Sequence, residues 1–185
     1  AEEMPILPFN PTVVPARGGV GAVVEYQANV IASVLAERLR GTYKMLHLPD
    51  GLSQDSLHML MTCEPQIKEI SDLISRTDVL LFGIGTAMRM ADQRHIADEV
   101  RKQLVDNHAV GEALGQYCDM DGKLIYSTNN IGLSLPDVAK VPNVIAVAGG
   151  QEKASAIIGV MRACQKGILI IDEQAAEGMR QLLQI

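Results

Sequence analysis

Short apolar runs recur along the chain and alternate with longer segments in which apolar positions return every third or fourth residue. The runs at 12–14, 43–48, 79–83, 144–148 and 168–171 read as strands, because β-branched and apolar residues over such lengths suit a buried pleated surface. Segments 23–39, 55–61, 66–75, 86–104, 152–164 and 173–183 read as amphipathic helices. In the first of these, Val24, Ala28, Ile31, Leu35 and Leu39 fall on one side and predict its buried stripe. Arg40-Gly41 then predicts its end, a cation against the helix dipole followed by a left-handed glycine cap. Strands alternating with helices predict an α/β fold with a mostly parallel sheet. One stretch departs from that rhythm. In 117–127, "YCDMDGKLIYS", two short alternating segments flank Asp121-Gly122 and predict a hairpin, an antiparallel excursion on an otherwise parallel sheet.

No internal repeat, low-complexity stretch or linker interrupts the pattern, so residues 1–185 are expected to form a single domain. With 48% hydrophobic and 21% charged residues, the composition is that of a globular chain. A formal net charge of -6 argues against a nucleic-acid-binding surface within this chain. It does not exclude a small anion, which needs only a local positive potential. Cys63, Cys118 and Cys164 are odd in number and show no metal-ligand spacing, which predicts reduced thiols in a cytoplasmic protein with no metal and no cofactor. No apolar run reaches the roughly 18 residues of a membrane span, and no signal peptide is present. The opening "AEEMPILPFNP" is expected to be an internal stretch of something longer.

Ligands of open α/β sheets collect beyond the carboxyl ends of the strands. Four junctions of that kind are rich in glycine or polar residues: "PARGGVG" at 15–21, "HLPDGLSQDS" at 47–56, "GIGTAM" at 83–88 and "AGGQEKA" at 148–154. A fifth polar segment, 106–116, precedes the hairpin. The GIG lacks the further glycine of a dinucleotide fingerprint, and no GxxxxGK[ST] occurs. Glycines at one junction serve backbone reversal as readily as ligand approach. Several together with Arg17 and Lys153 favour an anion, since arginine offers a planar fork to phosphate and helix N-termini add N–H donors. Gln27 either reaches a ligand hydroxyl or lies on the surface. Glu112, within "GEALG", either accepts from sugar hydroxyls or caps a helix. The histidines and serines form no hydrolase-type pairing, which favours a binding module over an enzyme.

Taken in order, "VVPARGGVG", "YQAN", "GTYKMLHLPD", "GIGTA", "GEALGQY" and "VIAVAGGQEKASAI" resemble the C-terminal effector-binding domain of SorC-type bacterial transcriptional regulators. The resemblance runs from about Val13 to the C-terminus. It implies a Rossmann-like three-layer domain, related in fold to sugar-phosphate isomerases and deaminases but without catalysis. It further implies a phosphorylated sugar as effector, fructose-1,6-bisphosphate for members that govern glycolytic genes. Carried over by motif, Arg17 and Lys153 are expected on phosphate, with Gly18 beside the first. Gln27 is expected near the sugar or phosphate, Glu112 on sugar hydroxyls, and Arg94 as a further basic contact. The family's operator-binding helix-turn-helix and an upstream Gly-Gly-Thr-Thr phosphate-loop strand have no counterpart in this sequence. DNA is therefore expected as a partner only through a domain outside it, in a homo-oligomer (dimer or tetramer) that touches no membrane. Two other readings stay open. One is a sugar-phosphate isomerase or deaminase with Glu112 or Asp50 as base, and the other is a dimerisation domain with a vestigial pocket.

Overall fold

The computed structural model describes residues 3–18, 27–49 and 51–184. The chain divides into two compact units, Ala1–Arg76 with Asn129–Leu133, and Thr77–Thr128 with Ser134–Ile185.

In the first unit, strand β1 (Thr12–Val13) is followed by helix α1 (Ala28–Arg38), strand β2 (Thr42–Tyr43) and helices α2 (Gln54–Cys63) and α3 (Pro65–Ser75). β1 and β2 pair in parallel, with Thr12 opposite Thr42 and Val13 opposite Tyr43. The run expected as a strand at 43–48 leaves this ladder early. The Lys44 N–H still donates to Val13 O, but Leu46 N–H turns to the Asn29 side chain at 2.9 Å, while Asn29 Nδ2 donates to Leu46 O. That exchange also fixes the rotation of α1. Its buried residues are Asn29, Ala32 and Ala36, whereas Ile31 is exposed. The stripe expected through Ala28, Ile31 and Leu35 is therefore not the buried side; Val24 lies outside the described residues. Small side chains and one polar clamp set the packing instead of the larger aliphatics. At the helix end the left-handed residue is Arg40 (φ 52°), not Gly41. Gly41 is needed for space, because a Cβ there would stand 2.1 Å from Pro11 O. The segment Asn129–Leu133 returns to the end of β1, with Gly18 N–H donating to Ile131 O and Leu133 N–H to Ala16 O.

The second unit holds β3 (Val79–Gly83), β4 (Gly85–Thr86), α4 (Ala87–Gln93), α5 (Asp98–Asp106), β5 (Gly111–Ala113), β6 (Gln116–Cys118) and β7 (Leu124–Ser127). It continues with α6 (Leu135–Val138), β8 (Asn143–Ala148), a 3-10 turn (Gln151–Lys153), α7 (Ala154–Cys164), β9 (Ile168–Ile171) and α8 (Glu173–Leu183). β3, β8 and β9 form a parallel sheet in that order, and β4 to β7 form an antiparallel one. The expected hairpin exists as β6 and β7, but as part of this separate four-stranded sheet rather than an excursion from the parallel one. The helix expected over 86–104 is two helices. It stops where His95 turns left-handed (φ 49°) and Ile96 N–H closes on Ala91 O.

Alternation along β3 and β8 buries Leu80, Phe82, Val144, Ala146 and Ala148 on one face. α7, apolar along most of its length, packs against α6, α8 and the antiparallel strands. The other face of the parallel sheet carries Val79, Leu81, Val147, Ile168 and Ile170, all exposed, although parallel sheets are ordinarily covered on both sides.

Candidate functional site

The sequence-expected residues divide between the two units. Arg17, Gly18 and Gln27 belong to the first, and Arg94, Glu112 and Lys153 to the second. Arg17 is buried directly after β1, bridged through its backbone to Gly132, with Nε donating to Gly18 O at 3.1 Å. Gln27 is half-buried at the N-cap of α1. Gly19 and Gly21 of the "PARGGVG" junction lie outside the described residues, as does Asp50, the alternative base.

In the second unit, the break between α4 and α5 has a clear consequence. It turns Arg94 onto Glu112, with Nη2 at 3.1 Å from Oε1, while Gln93 and His95 stay exposed. The same Oε1 accepts from Gly115 N–H at 2.6 Å. Glu112 is 3% exposed and directly opposite Gly85 of β4. β4 in turn packs against the 3-10 turn that carries Lys153. The Arg94–Glu112 pair thus lies at β4, which follows β3 directly and packs on the turn that carries Lys153, beyond the end of β8. A charge pair buried to this degree holds only when further hydrogen bonds satisfy it, as the Gly115 amide does.

The "AGGQEKA" turn owes its shape to Asp172, which motif reading did not single out. This residue caps α8, Oδ1 accepting from Ala175 N–H at 2.8 Å. It also reaches across to Gly150 N–H, at 2.9 Å from Oδ2 and 3.1 Å from Oδ1. The amide donors of Ala175 and then Gly150 hold its carboxyl below the usual range, with Lys153 adding a smaller attraction. An aspartate before a helical run was the legible signal for the cap, but not for the second bond.

Neither buried thiol offers a nucleophile. Burial, first of all, pushes Cys118 up to about 12 and Cys164 up to about 11, so both stay protonated near neutral pH. Among the described residues no group of three or more His, Cys, Asp or Glu side chains is placed to hold a metal ion. Among the described residues no helix is long and apolar enough to cross a membrane.

A mixed α/β unit with polar groups gathered beyond strand ends has the form in which open α/β sheets hold small ligands. Residues 2–181 match the family described as "Putative sugar-binding domain". The chain belongs to this sugar-binding family of SorC-type regulators. It is 40% identical over 164 residues to the central glycolytic genes regulator of Bacillus subtilis (strain 168), covering 89% of this chain and 48% of that protein. It is equally similar, 40% over 164 residues, to the regulator of the same name from Priestia megaterium. The chain thus spans about half the length of the curated relatives it matches. Its structure superposes with a TM-score of 0.84 and 38% identity on a protein from Enterococcus faecalis described as "putative SorC family transcriptional regulator", over 92% of this chain and 69% of that one. The full-length sorbitol operon regulator SorC of Klebsiella pneumoniae, at 21% identity and a TM-score of 0.78, shares the fold over 91% of this chain and 57% of its own. These relatives are regulators, which sets aside the isomerase and deaminase reading.

Proposed function

We propose that this chain is the effector-binding domain of a bacterial transcriptional repressor that senses a phosphorylated sugar, with fructose-1,6-bisphosphate the first candidate. Residues 1–185 act as one effector-binding domain of Rossmann-like three-layer type. The observation that carries the reading is the Arg94–Glu112 pair beside the Lys153 turn, beyond the ends of parallel strands in a sugar-binding family member. Lys153 meets a phosphate as a point charge at the start of α7, where helix N–H groups also favour an anion. Glu112, oriented by Arg94 and the Gly115 amide, accepts from sugar hydroxyls. In the first unit, considered by itself, Arg17 next to Gly18 is proposed as a phosphate contact and Gln27 as a contact to the sugar or phosphate. Regulation follows as a population shift: effector binding favours one arrangement of subunits, and operator DNA is released or held through a domain outside this chain. The protein works in the cytoplasm as a homo-oligomer. Support comes from the two glycolytic regulators at 40% identity.

A thermal-shift panel of glycolytic phosphosugars against the full-length protein tests the reading. Fructose-1,6-bisphosphate, or a close phosphosugar, is expected to raise the unfolding temperature in a concentration-dependent way. No shift with any phosphosugar at millimolar concentration rejects it.

A further inference from the structure

We infer that Asp172 is a positioning residue for effector binding: it builds the Lys153 turn from outside, and Gly149 of "AGG" leaves the room that its carboxylate fills. The inference rests on the proposed phosphate role of Lys153. Glycine pairs after a strand are commonly read as room for a phosphate against bare backbone. Here the room is already taken. A Cβ on Gly149 would stand 2.7 Å from Asp172 Oδ2, closer than a side chain is found. Gly150 has φ 97°, a conformation that favours glycine, and its N–H donates to Asp172 rather than toward a ligand.

The same carboxylate caps α8 through Ala175. α8 in turn packs on the 3-10 turn, where Gly178 lies so close that a Cβ would be 3.1 Å from Gln151 O. The turn Gln151–Lys153 is therefore held on one side by α7, which continues from it, and on the other by Asp172 and α8. Asp172 lies too far along the chain to be found by the "AGGQEKA" motif, at 22 residues from Gly150. Its effect on ligand is indirect. It fixes where the Lys153 ammonium stands and spends the Gly150 amide, so the cation and not that glycine N–H is the anion-binding element of the turn.

A double-mutant cycle on the full-length protein tests this, with fructose-1,6-bisphosphate as probe in titration calorimetry. Asp172→Ser keeps a favoured N-cap side chain for α8 but is too short to hold Gly150 as well. It is expected to leave the circular dichroism spectrum unchanged and to weaken binding roughly tenfold, part of one charge-assisted contact. Lys153→Met is expected to weaken binding at least as much. The double variant is expected to bind no more weakly than Lys153→Met alone, since Asp172 acts through the lysine. Affinity within twofold of wild type in Asp172→Ser, or losses that multiply in the double variant, overturns the positioning role and leaves the phosphate reading standing. Unchanged affinity in Lys153→Met overturns both. Should Asp172→Ser not fold, Asp172→Thr retains the cap and takes its place in the cycle with the same expectations.

Discussion

Replacing Glu112 separates its charge from its hydrogen-bonding capacity. In Glu112→Ala, the Gly115 N–H loses a buried acceptor, worth about 1–3 kcal/mol. Arg94 loses its counter-charge as well. Breaking a fully buried pair costs about 3–5 kcal/mol, but the Arg94 side chain is 21% exposed, so water takes up part of the deficit. The two losses overlap, and the substitution is expected to destabilise the domain by about 2–4 kcal/mol. For a domain of this size that lowers the unfolding midpoint by roughly 4–16 °C. Glu112→Gln keeps an acceptor within reach of both donors and is expected to cost only about 1 kcal/mol. Differential scanning calorimetry of the full-length protein, following the transition of this domain, reads both values. An Ala variant within about 0.5 kcal/mol of wild type would refute the claim that Glu112 organises this corner. A Gln variant as damaged as Ala would show that charge, not hydrogen bonding, governs it.

Arg17→Lys keeps the charge but loses the guanidinium fork, and is expected to weaken binding of fructose-1,6-bisphosphate about tenfold in calorimetry with an unchanged fold; an unchanged Kd would count against a phosphate role for Arg17. Gly41→Ala drives a methyl into Pro11 O and is expected to cost more than about 2 kcal/mol in urea unfolding. Asp172 gives a pH signature. Its folded-state value lies below the ordinary 3.8, so the stability it adds is complete above that pH and is lost as pH falls from there toward the folded value. Asp172→Asn is expected to flatten that part of the acid limb, measured as unfolding midpoint against pH.

Much of the architecture was legible because period and composition agree where elements are fully formed. The strands at 79–83 and 168–171 and the helix at 173–183 stand where alternation and helical spacing put them. The failures share a cause, a tertiary contact that overrides local pattern. The α1 stripe was misplaced because Asn29 clamps Leu46 and turns the helix toward Ala32 and Ala36. The 86–104 helix breaks at His95 without Gly or Pro to mark it, and that break brings Arg94 to Glu112. The four-stranded antiparallel sheet was seen only as its hairpin, since β4 and β5 are two and three residues long and carry no usable period. For the candidate site, motif order points to Arg94, Glu112 and Lys153 as expected contacts, but neither the ion pair nor Asp172 is written in spacing. Both depend on residues brought together from 18 and 22 positions apart.

Titration calorimetry of the full-length protein with fructose-1,6-bisphosphate, run in parallel on Lys153→Met, tests the central claim most directly. The account predicts saturable binding in the micromolar range for wild type and at least a tenfold weaker affinity for the variant. Equal affinity in the two proteins, or no binding heat at millimolar ligand, would contradict it.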